Sequence, residues 1–108
     1  DVLECLEKIA RQEKIEAATF NLIGTLKNAK LKYFDQKEHV YRNISMDEPL
    51  EITSCIGNIF IKEDGETFIH AHAALADSEG MAYGGHPNQG SRVGAIVEAM
   101  ILEFEGIN

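Results

Sequence analysis

Three of the chain's four histidines fall within residues 68–86, FIHAHAALADSEGMAYGGH. Side chains of a β-strand alternate between its two faces, so a strand through this stretch projects His70 and His72 from the same face. The alanine between them points the other way. The chain is therefore expected to form a sheet in which two imidazole rings stand side by side.

A hairpin loop predicted after this strand brings a third histidine to the pair. The segment from Asp77 to Met81 has turn composition, and Gly80 can adopt the left-handed conformation that ends a three-residue loop. If Asp77 pairs with Met81, residue numbers sum to a constant across the antiparallel ladder. His86 then lies opposite His72, and all three rings share one face.

Three imidazoles on one face predict a metal site formed by His70, His72 and His86, because their nitrogens can converge on a single ion. The alternative is three half-buried histidines with no metal. The choice depends on the hairpin register, since a slip of one residue turns every side chain of a strand to the other face.

The residues around His86 predict a distorted backbone. Glycine within a strand usually marks a bulge or a close approach, and Gly84 and Gly85 directly precede this histidine. Pro87 then removes an N–H donor, so strand pairing is expected to be interrupted or to lie at a sheet edge.

Length and charge bound the possible functions. The 108 residues suffice for one domain with a modest core, and 18 acidic against 10 basic residues give a formal net charge of −8. An isolated domain with this charge repels nucleic-acid phosphates. Two groups of basic residues are interpreted as solvated surface charge: Arg11 with Lys14, and Lys27 with Lys30 and Lys32.

The cysteines and the apolar runs indicate the cellular environment. Cys5 and Cys55 lack the CxxC spacing of redox and zinc motifs and are interpreted as reduced, buried thiols. No apolar run approaches the ~20 residues that span a membrane, and no signal-peptide pattern opens the sequence, so a cytoplasmic protein is expected. Because the sequence begins with Asp1 rather than Met, we expect a fragment of a longer chain.

Upstream of the histidine stretch, the pattern predicts one helix and four strands. Asp1 and Glu4 have the side chains of a capping box, and apolar residues recur at helical spacing over residues 1–13. Alternation and apolar runs predict strands at residues 15–23, 28–34, 39–44 and 50–62. His39 is expected at the surface, outside the histidine cluster.

Glycines and turn residues are expected to delimit these strands. Residues 15–23 are apolar on both faces, which is typical of a strand covered on both sides, and Gly24 is expected to end it. Gly57 lies in the middle of the long strand and predicts a bulge or bend. Asp64-Gly65 predicts the hairpin that joins this strand to the histidine strand.

The last segment allows two structures. The apolar residues between 93 and 104 fit one face of a helix, with Ser91 as its N-cap, and periodicity slightly favours this choice. The same segment is rich in β-branched residues and apolar on both faces, so a central buried strand also fits. The whole chain is predicted to be one α+β unit dominated by antiparallel hairpins.

Together these motifs resemble the PPC domain, the plants-and-prokaryotes-conserved family that occurs alone in bacteria and archaea and is joined to AT-hooks in plant nuclear proteins. The motifs that carry the resemblance span nearly the whole chain: Ile-Gly-Thr-Leu at 23–26, Leu-Lys-Tyr-Phe at 31–34, Pro-Leu-Glu-Ile at 49–52, Gly-Asn-Ile at 57–59, His-Ala-His at 70–72 and Gly-Gly-His at 84–86. Pro87 departs from the family, which usually has leucine there. Since family members carry a strand before the first helix, residues 1–108 are expected to be a single PPC-like domain that lacks this N-terminal strand.

The resemblance implies a mostly antiparallel sheet flanked by helices, assembled as a homotrimer. It also implies that Val93 to Glu103 form a strand rather than a helix. Prokaryotic members with this histidine pattern look like metal proteins, which makes zinc the expected cofactor at His70, His72 and His86. The family is commonly labelled DNA-binding, but this sequence has no AT-hook and nothing else suited to a minor groove.

Two functions are compatible with this site. The first is a trimeric zinc-binding domain that binds DNA or, in view of the acidic charge, a regulatory protein partner. The second is a metal-dependent enzyme, because three-histidine zinc lowers the pKa of a bound water towards ~7. Candidates for a general base or an oxyanion-stabilising group are Glu51, Asn58 and Glu98. Glu98 is the first candidate for an acid/base group or a fourth metal ligand, because its carboxylate lies in an apolar run and needs a partner or a changed pKa there. Glu98 at a strand edge or subunit interface is the alternative.

Overall fold

The computed structural model describes residues 1–105, so the last three residues of the expected 1–108 domain lie outside it. The elements follow in the order α1 (Val2–Gln12), β1 (Ala17–Leu26), β2 (Ala29–Asp35), β3 (Val40–Met46), β4 (Leu50–Ile61), β5 (Thr67–Ala76), β6 (Ala82–Pro87) and β7 (Val93–Glu103). The seven strands form one sheet in the order β3-β2-β6-β5-β4-β1-β7, and every pairing is antiparallel. The predicted antiparallel sheet is confirmed. Among the described residues, however, one helix accompanies it instead of several.

Helix α1 covers one face of the sheet. Its spacing buries Val2, Leu6 and Ala10, and Asp1 caps it by accepting a hydrogen bond from the Glu4 backbone N–H at 3.2 Å. These residues pack with a layer of buried side chains from the strands, which includes Ala18, Phe20, Leu22, Leu31, Ile52, Cys55, Ile59 and Leu75. The core therefore lies between α1 and one side of the sheet.

The other side of the sheet, here called the open face, is not covered by any helix among residues 1–105. Five large apolar side chains there are 55–62% exposed: Ile23, Ile56, Ile96, Met100 and Leu102. The expectation that β1 is covered on both sides is wrong for the single chain, because α1 packs on one side only.

Gly24 does not end β1, contrary to the prediction. The strand continues to Leu26 through a shift of register opposite β4, between Leu22 and Gly24. A Cβ on Gly24 would lie 2.6 Å from the Val97 Cα, so the glycine allows close approach of β7.

Gly57 is not a bulge either. It pairs regularly with Phe20 on one side and Ala71 on the other, and the irregularity of β4 lies between Ile52 and Ser54. A Cβ on Gly57 would collide with the His70 carbonyl oxygen and lie 2.8 Å from the Phe20 ring. The glycine is therefore required by packing and not by a bend.

The last segment is a strand over Val93–Glu103, as the resemblance implied, and it pairs with β1 along its length. Ser91 is not a helix cap. It is 3% exposed, and its hydroxyl accepts from the Lys30 N–H at 2.9 Å and donates to the Lys30 carbonyl at 3.1 Å. The serine thus ties the loop before β7 to the start of β2.

Both cysteines are free, but only Cys55 is buried. Burial in the core raises the pKa of its thiol to about 11. Cys5 is exposed on α1, contrary to the prediction, because the inward positions of that helix belong to Val2, Leu6 and Ala10. Among residues 1–105, no helix has the length and apolar character needed to cross a bilayer.

Candidate metal centre

The loop between β5 and β6 has the predicted geometry. The Asp77 N–H donates to the Met81 carbonyl at 3.0 Å, and Gly80 has a φ of +80°. The Asp77 carboxylate accepts hydrogen bonds from the Glu79 and Met81 N–H groups at 2.9 Å and from the Tyr83 hydroxyl at 3.0 Å. One side chain therefore accepts three hydrogen bonds from this turn and the start of β6.

The register that follows from the loop is also as predicted. The β5–β6 ladder runs from the pair Ala76 and Ala82 to the pair Ala73 and Gly85. The next position in the same register sets His72 against His86. Their ring centroids are 4.4 Å apart, with the ring planes at 85°.

His70 completes the cluster from the same strand as His72. Its ring centroid lies 5.5 Å from that of His72 and 5.9 Å from that of His86. Each of the three histidines offers one nitrogen, and these nitrogens all lie within 4.8 Å of one another. His70 and His72 are exposed and His86 is half-buried, so the cluster is open to solvent on the open face.

Strand β6 changes partner at the cluster. Beyond Gly85 it leaves β5 and pairs with β2, where Lys32 lies opposite His86 and Leu31 opposite Pro87. A Cβ on Gly85 would lie 3.0 Å from the Lys32 carbonyl oxygen, which explains the glycine before this histidine. The predicted interruption at Pro87 is therefore an exchange of partner strands within the sheet.

The environment of His86 favours its neutral form. Burial lowers the pKa of its imidazole below the ordinary value, and the positive charges of His72, His70 and Lys32 lower it further, while the backbone of Ala71 acts in the opposite direction. A neutral imidazole is the form that binds a metal ion.

Of the three candidates for a general base or an oxyanion-stabilising group, the structure brings only Asn58 to the histidines. Asn58 is the cross-strand partner of His70, and both line a cavity of about 490 Å³ on the open face. Glu98, on β7, lies opposite Ile23 of β1. Strands β1 and β4 separate Glu98 from β5, which carries His70 and His72. Glu51 lines a different cavity, at the end of the sheet with Asp77.

Two residues lie near the cluster although no sequence pattern predicted them there. Lys32, interpreted as solvated surface charge, is partly buried and faces His86 across the β2–β6 ladder. Tyr41 of β3 lies with its ring centroid 6.0 Å from that of His86. Both come from strands far from the histidine hairpin in sequence, so only the order of strands in the sheet could have located them. His39 is exposed in the turn before β3, as predicted.

Comparison with protein families decides the affiliation of this chain. The family model of the Plants and Prokaryotes Conserved domain, abbreviated PCC or PPC, matches residues 1–105. The chain belongs to this family. The PPC resemblance of the sequence motifs is thereby confirmed.

Solved structures agree with this PPC assignment. The PPC protein of Pyrococcus horikoshii is 36% identical with a TM-score of 0.88, and the match covers 98% of this chain and 72% of that one. A metal-containing protein of Archaeoglobus fulgidus is 32% identical with a TM-score of 0.82, covering 93% and 69%. A protein of Ralstonia eutropha JMP134, described only as a candidate DNA-binding protein, is 28% identical with a TM-score of 0.85, covering 96% and 71%.

Curated relatives place a similar domain in a much longer protein. The bifunctional protein GlmU of Synechococcus sp. strain JA-3-3Ab is 31% identical over 104 residues, which is 95% of this chain and 15% of that protein. The PPC chain thus spans about 15% of the length of the curated relatives it matches.

The donor set of this PPC domain fits a metal ion. Two zinc–nitrogen bonds of about 2.0–2.1 Å at a tetrahedral angle hold their nitrogens roughly 3.4 Å apart, against a separation of up to 4.8 Å between the histidine nitrogens. The rings of His70 and His72 are exposed, so they have room to turn and bring their nitrogens closer together around an ion. Imidazole is also the ligand type that zinc, copper, iron and nickel share.

Proposed function

We propose that this PPC-domain protein is a zinc-binding homotrimer whose ligands are His70, His72 and His86. The observation that carries the proposal is the convergence of three imidazole nitrogens within 4.8 Å. Each nitrogen comes from a position fixed by the β5–β6 hairpin, so the site is preorganised by the fold. The similarity to a metal-containing protein of Archaeoglobus fulgidus supports the same reading.

Zinc is the proposed ion because three histidine ligands match a zinc site that keeps one open position. The neutral form of His86, favoured by burial, supports binding near neutral pH. The only buried thiol, Cys55, points into the core on the other side of β4 from the open face, so we propose no sulfur ligand.

The homotrimer is proposed from the open face of the sheet. Ile56, Met100 and Leu102 are about 60% exposed, and large apolar side chains exposed on one sheet face are typical of an interface. The cross-strand row from His72 through Ile56 and Asn21 to Met100 joins this surface to the histidines. Association through the open face would therefore bring another subunit close to the metal centre.

A metal-dependent enzyme is the second candidate, favoured by the cavity that His70, His72 and Asn58 line. Zinc held by three histidines lowers the pKa of a coordinated water towards about 7. The Asn58 amide lies where it can hydrogen-bond a ligand in this cavity. Glu98 stays a candidate only if another subunit supplies it, because β1 and β4 separate it from the cluster of its own chain.

For the partner, we infer a regulatory protein ahead of bare DNA. The Ralstonia eutropha relative is described as a candidate DNA-binding protein. This chain has a net charge of −8, so a trimer would carry three such charges and repel phosphates strongly. Retention on DNA-cellulose at low salt, lost as salt rises, would favour DNA. Absence of retention at low salt would leave protein partners.

Elemental analysis of protein purified without an affinity tag or chelator tests the metal proposal. We expect near-stoichiometric zinc in the wild type and in His39→Ala, whose ring is exposed outside the cluster. The double variant His70→Ala, His72→Ala should contain none. Wild-type protein that is metal-free and takes up no added zinc would contradict the proposal.

Sedimentation equilibrium tests the assembly. Wild-type protein should have about three times the 12.0 kDa mass of one chain. Met100→Asp places a charge on the open face and should dissociate the trimer. Ile9→Asp is the matched control, because Ile9 is 40% exposed on α1. A monomeric wild type, or equal masses for Met100→Asp and wild type, would contradict association through the open face.

A further inference from the structure

Lys32 is held beside the histidine cluster by the fold. It is the direct cross-strand partner of His86 in the short β2–β6 ladder, so the two side chains project from the same face. Its ammonium group lies 4.8 Å from the centroid of the Tyr41 ring. That ring in turn meets the His86 ring edge-on at 6.0 Å. A cation–π contact thus fixes a positive charge next to a predicted metal ligand.

No carboxylate within residues 1–105 forms an ion pair with Lys32. Glu7 of α1 lines the same cavity as Lys32, but its carboxylate lies 3.6 Å from the Arg11 guanidinium. The carboxylate that lines this cavity is therefore already paired with another cation.

A cavity of about 260 Å³ joins these groups, and its lining includes His70, His86, Lys32 and Tyr41. Its volume admits a small oxyanion. The cavity lies where β6 separates from β5, and two of the three histidines line it.

We propose that the metal centre binds a small oxyanion, a carboxylate or phosphate group, between the metal ion and the Lys32 ammonium. A dication and an ammonium repel each other at short range unless a negative group lies between them. A bound oxyanion removes this repulsion and accepts a charge-assisted hydrogen bond from Lys32. The inference rests on the proposed three-histidine metal site and names the ligand class of that site.

The chain offers a matched control for Lys32. Lys30 lies two residues earlier on β2 and therefore on the same face. Its ammonium, however, donates to the Ser45 hydroxyl at 3.2 Å. Lys30→Met and Lys32→Met remove the same charge from the same strand, and Lys32→Arg keeps the charge beside His86.

The test uses cobalt as a spectroscopic substitute for zinc. Full-length protein is loaded with Co²⁺, and the visible absorption of the metal is followed while sodium acetate or inorganic phosphate is added at constant ionic strength. We expect a saturable spectral change in wild type, Lys30→Met and Lys32→Arg. In Lys32→Met the cobalt uptake should persist while the oxyanion binds about tenfold more weakly or worse. The anion that binds more tightly, acetate or phosphate, shows whether the site prefers a carboxylate or a phosphate group.

Each other outcome overturns a defined part of the inference. If wild type takes up cobalt but neither ion changes its spectrum, the metal site stands and the oxyanion site is wrong. The oxyanion site is also wrong if acetate or phosphate binds to Lys32→Met as tightly as to Lys30→Met. If wild type takes up no cobalt, the metal proposal fails and the oxyanion proposal fails with it.

Discussion

His72 and His86 face each other across the β5–β6 hairpin, with ring centroids 4.4 Å apart. They directly follow the last pair of the β5–β6 ladder, Ala73 and Gly85, on two strands joined by the Asp77 to Met81 loop. Since a slip of one residue would turn one ring towards the core, the loop determines whether a metal site exists at all. A change in the loop that shifts the hairpin register would therefore also separate the histidines of the metal site.

Asp77→Ala is expected to weaken zinc binding although no ligand is changed. The carboxylate accepts three hydrogen bonds, from Glu79, Met81 and Tyr83, and without them the hairpin register is less strictly fixed. A competition titration against a chromophoric chelator should show a several-fold loss of affinity.

Asp64→Ala is the control for this prediction. The Asp64 carboxylate accepts from the Glu66 N–H at 2.9 Å in the β4–β5 hairpin, at the end of β5 away from the β6 hairpin. Its removal should leave zinc affinity unchanged. Equal affinities in Asp77→Ala and Asp64→Ala would show that the loop carboxylate does not control the site.

Gly57→Ala is expected to destabilise the protein by about 1–3 kcal/mol, the typical cost of overpacking. The added methyl group would collide with the His70 carbonyl and approach Phe20 and Ala71 at 2.8 Å. Urea unfolding measures the change. Gly84→Ala is the matched control, because its nearest neighbour is the Ala73 carbonyl oxygen at 3.3 Å. If Gly57→Ala lowers the free energy of unfolding no more than Gly84→Ala does, the packing role of Gly57 is wrong.

The metal-free protein is expected to lose stability as pH falls below about 6.5. Burial and nearby positive charges depress the folded-state pKa of His86 below that value, so the unfolded chain binds the proton more readily. The free energy of unfolding therefore decreases as pH falls from about 6.5 and levels off below the folded-state pKa. Urea unfolding of apo wild type and His86→Gln over this pH range measures the difference. Parallel pH profiles would show that His86 does not contribute.

The histidine hairpin could be predicted from sequence because its determinants are local. Alternation along β5, the turn residues and Gly80 all lie within one short stretch, and together they specify which residue opposes His72. Lys32 could not be found this way. Its pairing with His86 requires β2 to lie next to β6, and no local pattern encodes that neighbour.

The errors in the strand predictions also have physical reasons. The sequence predicts a strand end at Gly24 and a bulge or bend at Gly57, but each glycine lacks a side chain where a neighbouring strand approaches closely. Composition alone does not distinguish these two uses of glycine. The apolar residues on both faces of β1 predicted full burial, whereas Ile23 is 55% exposed in the single chain. An exposed apolar residue and a buried one have the same sequence pattern.

The core thiol is expected to make stability depend on alkaline pH. Burial raises the folded-state pKa of Cys55 to about 11 from an ordinary value of 9.0. The contribution is fully present below about pH 9, because the thiol is neutral in both states. It is lost as pH rises towards 11, because only the unfolded chain then ionises.

Tyrosines and lysines also titrate in this pH range, so the informative quantity is the difference between wild type and Cys55→Ala. At pH 8, Cys55→Ala should be less stable than wild type because of the cavity left in the core. This difference in the free energy of unfolding should become smaller between pH 9 and 11. Native protein should also react with one equivalent of a thiol reagent, at the exposed Cys5, and denatured protein with two. A difference that is constant with pH, together with rapid labelling of two thiols in the native state, would mean that Cys55 is accessible to solvent.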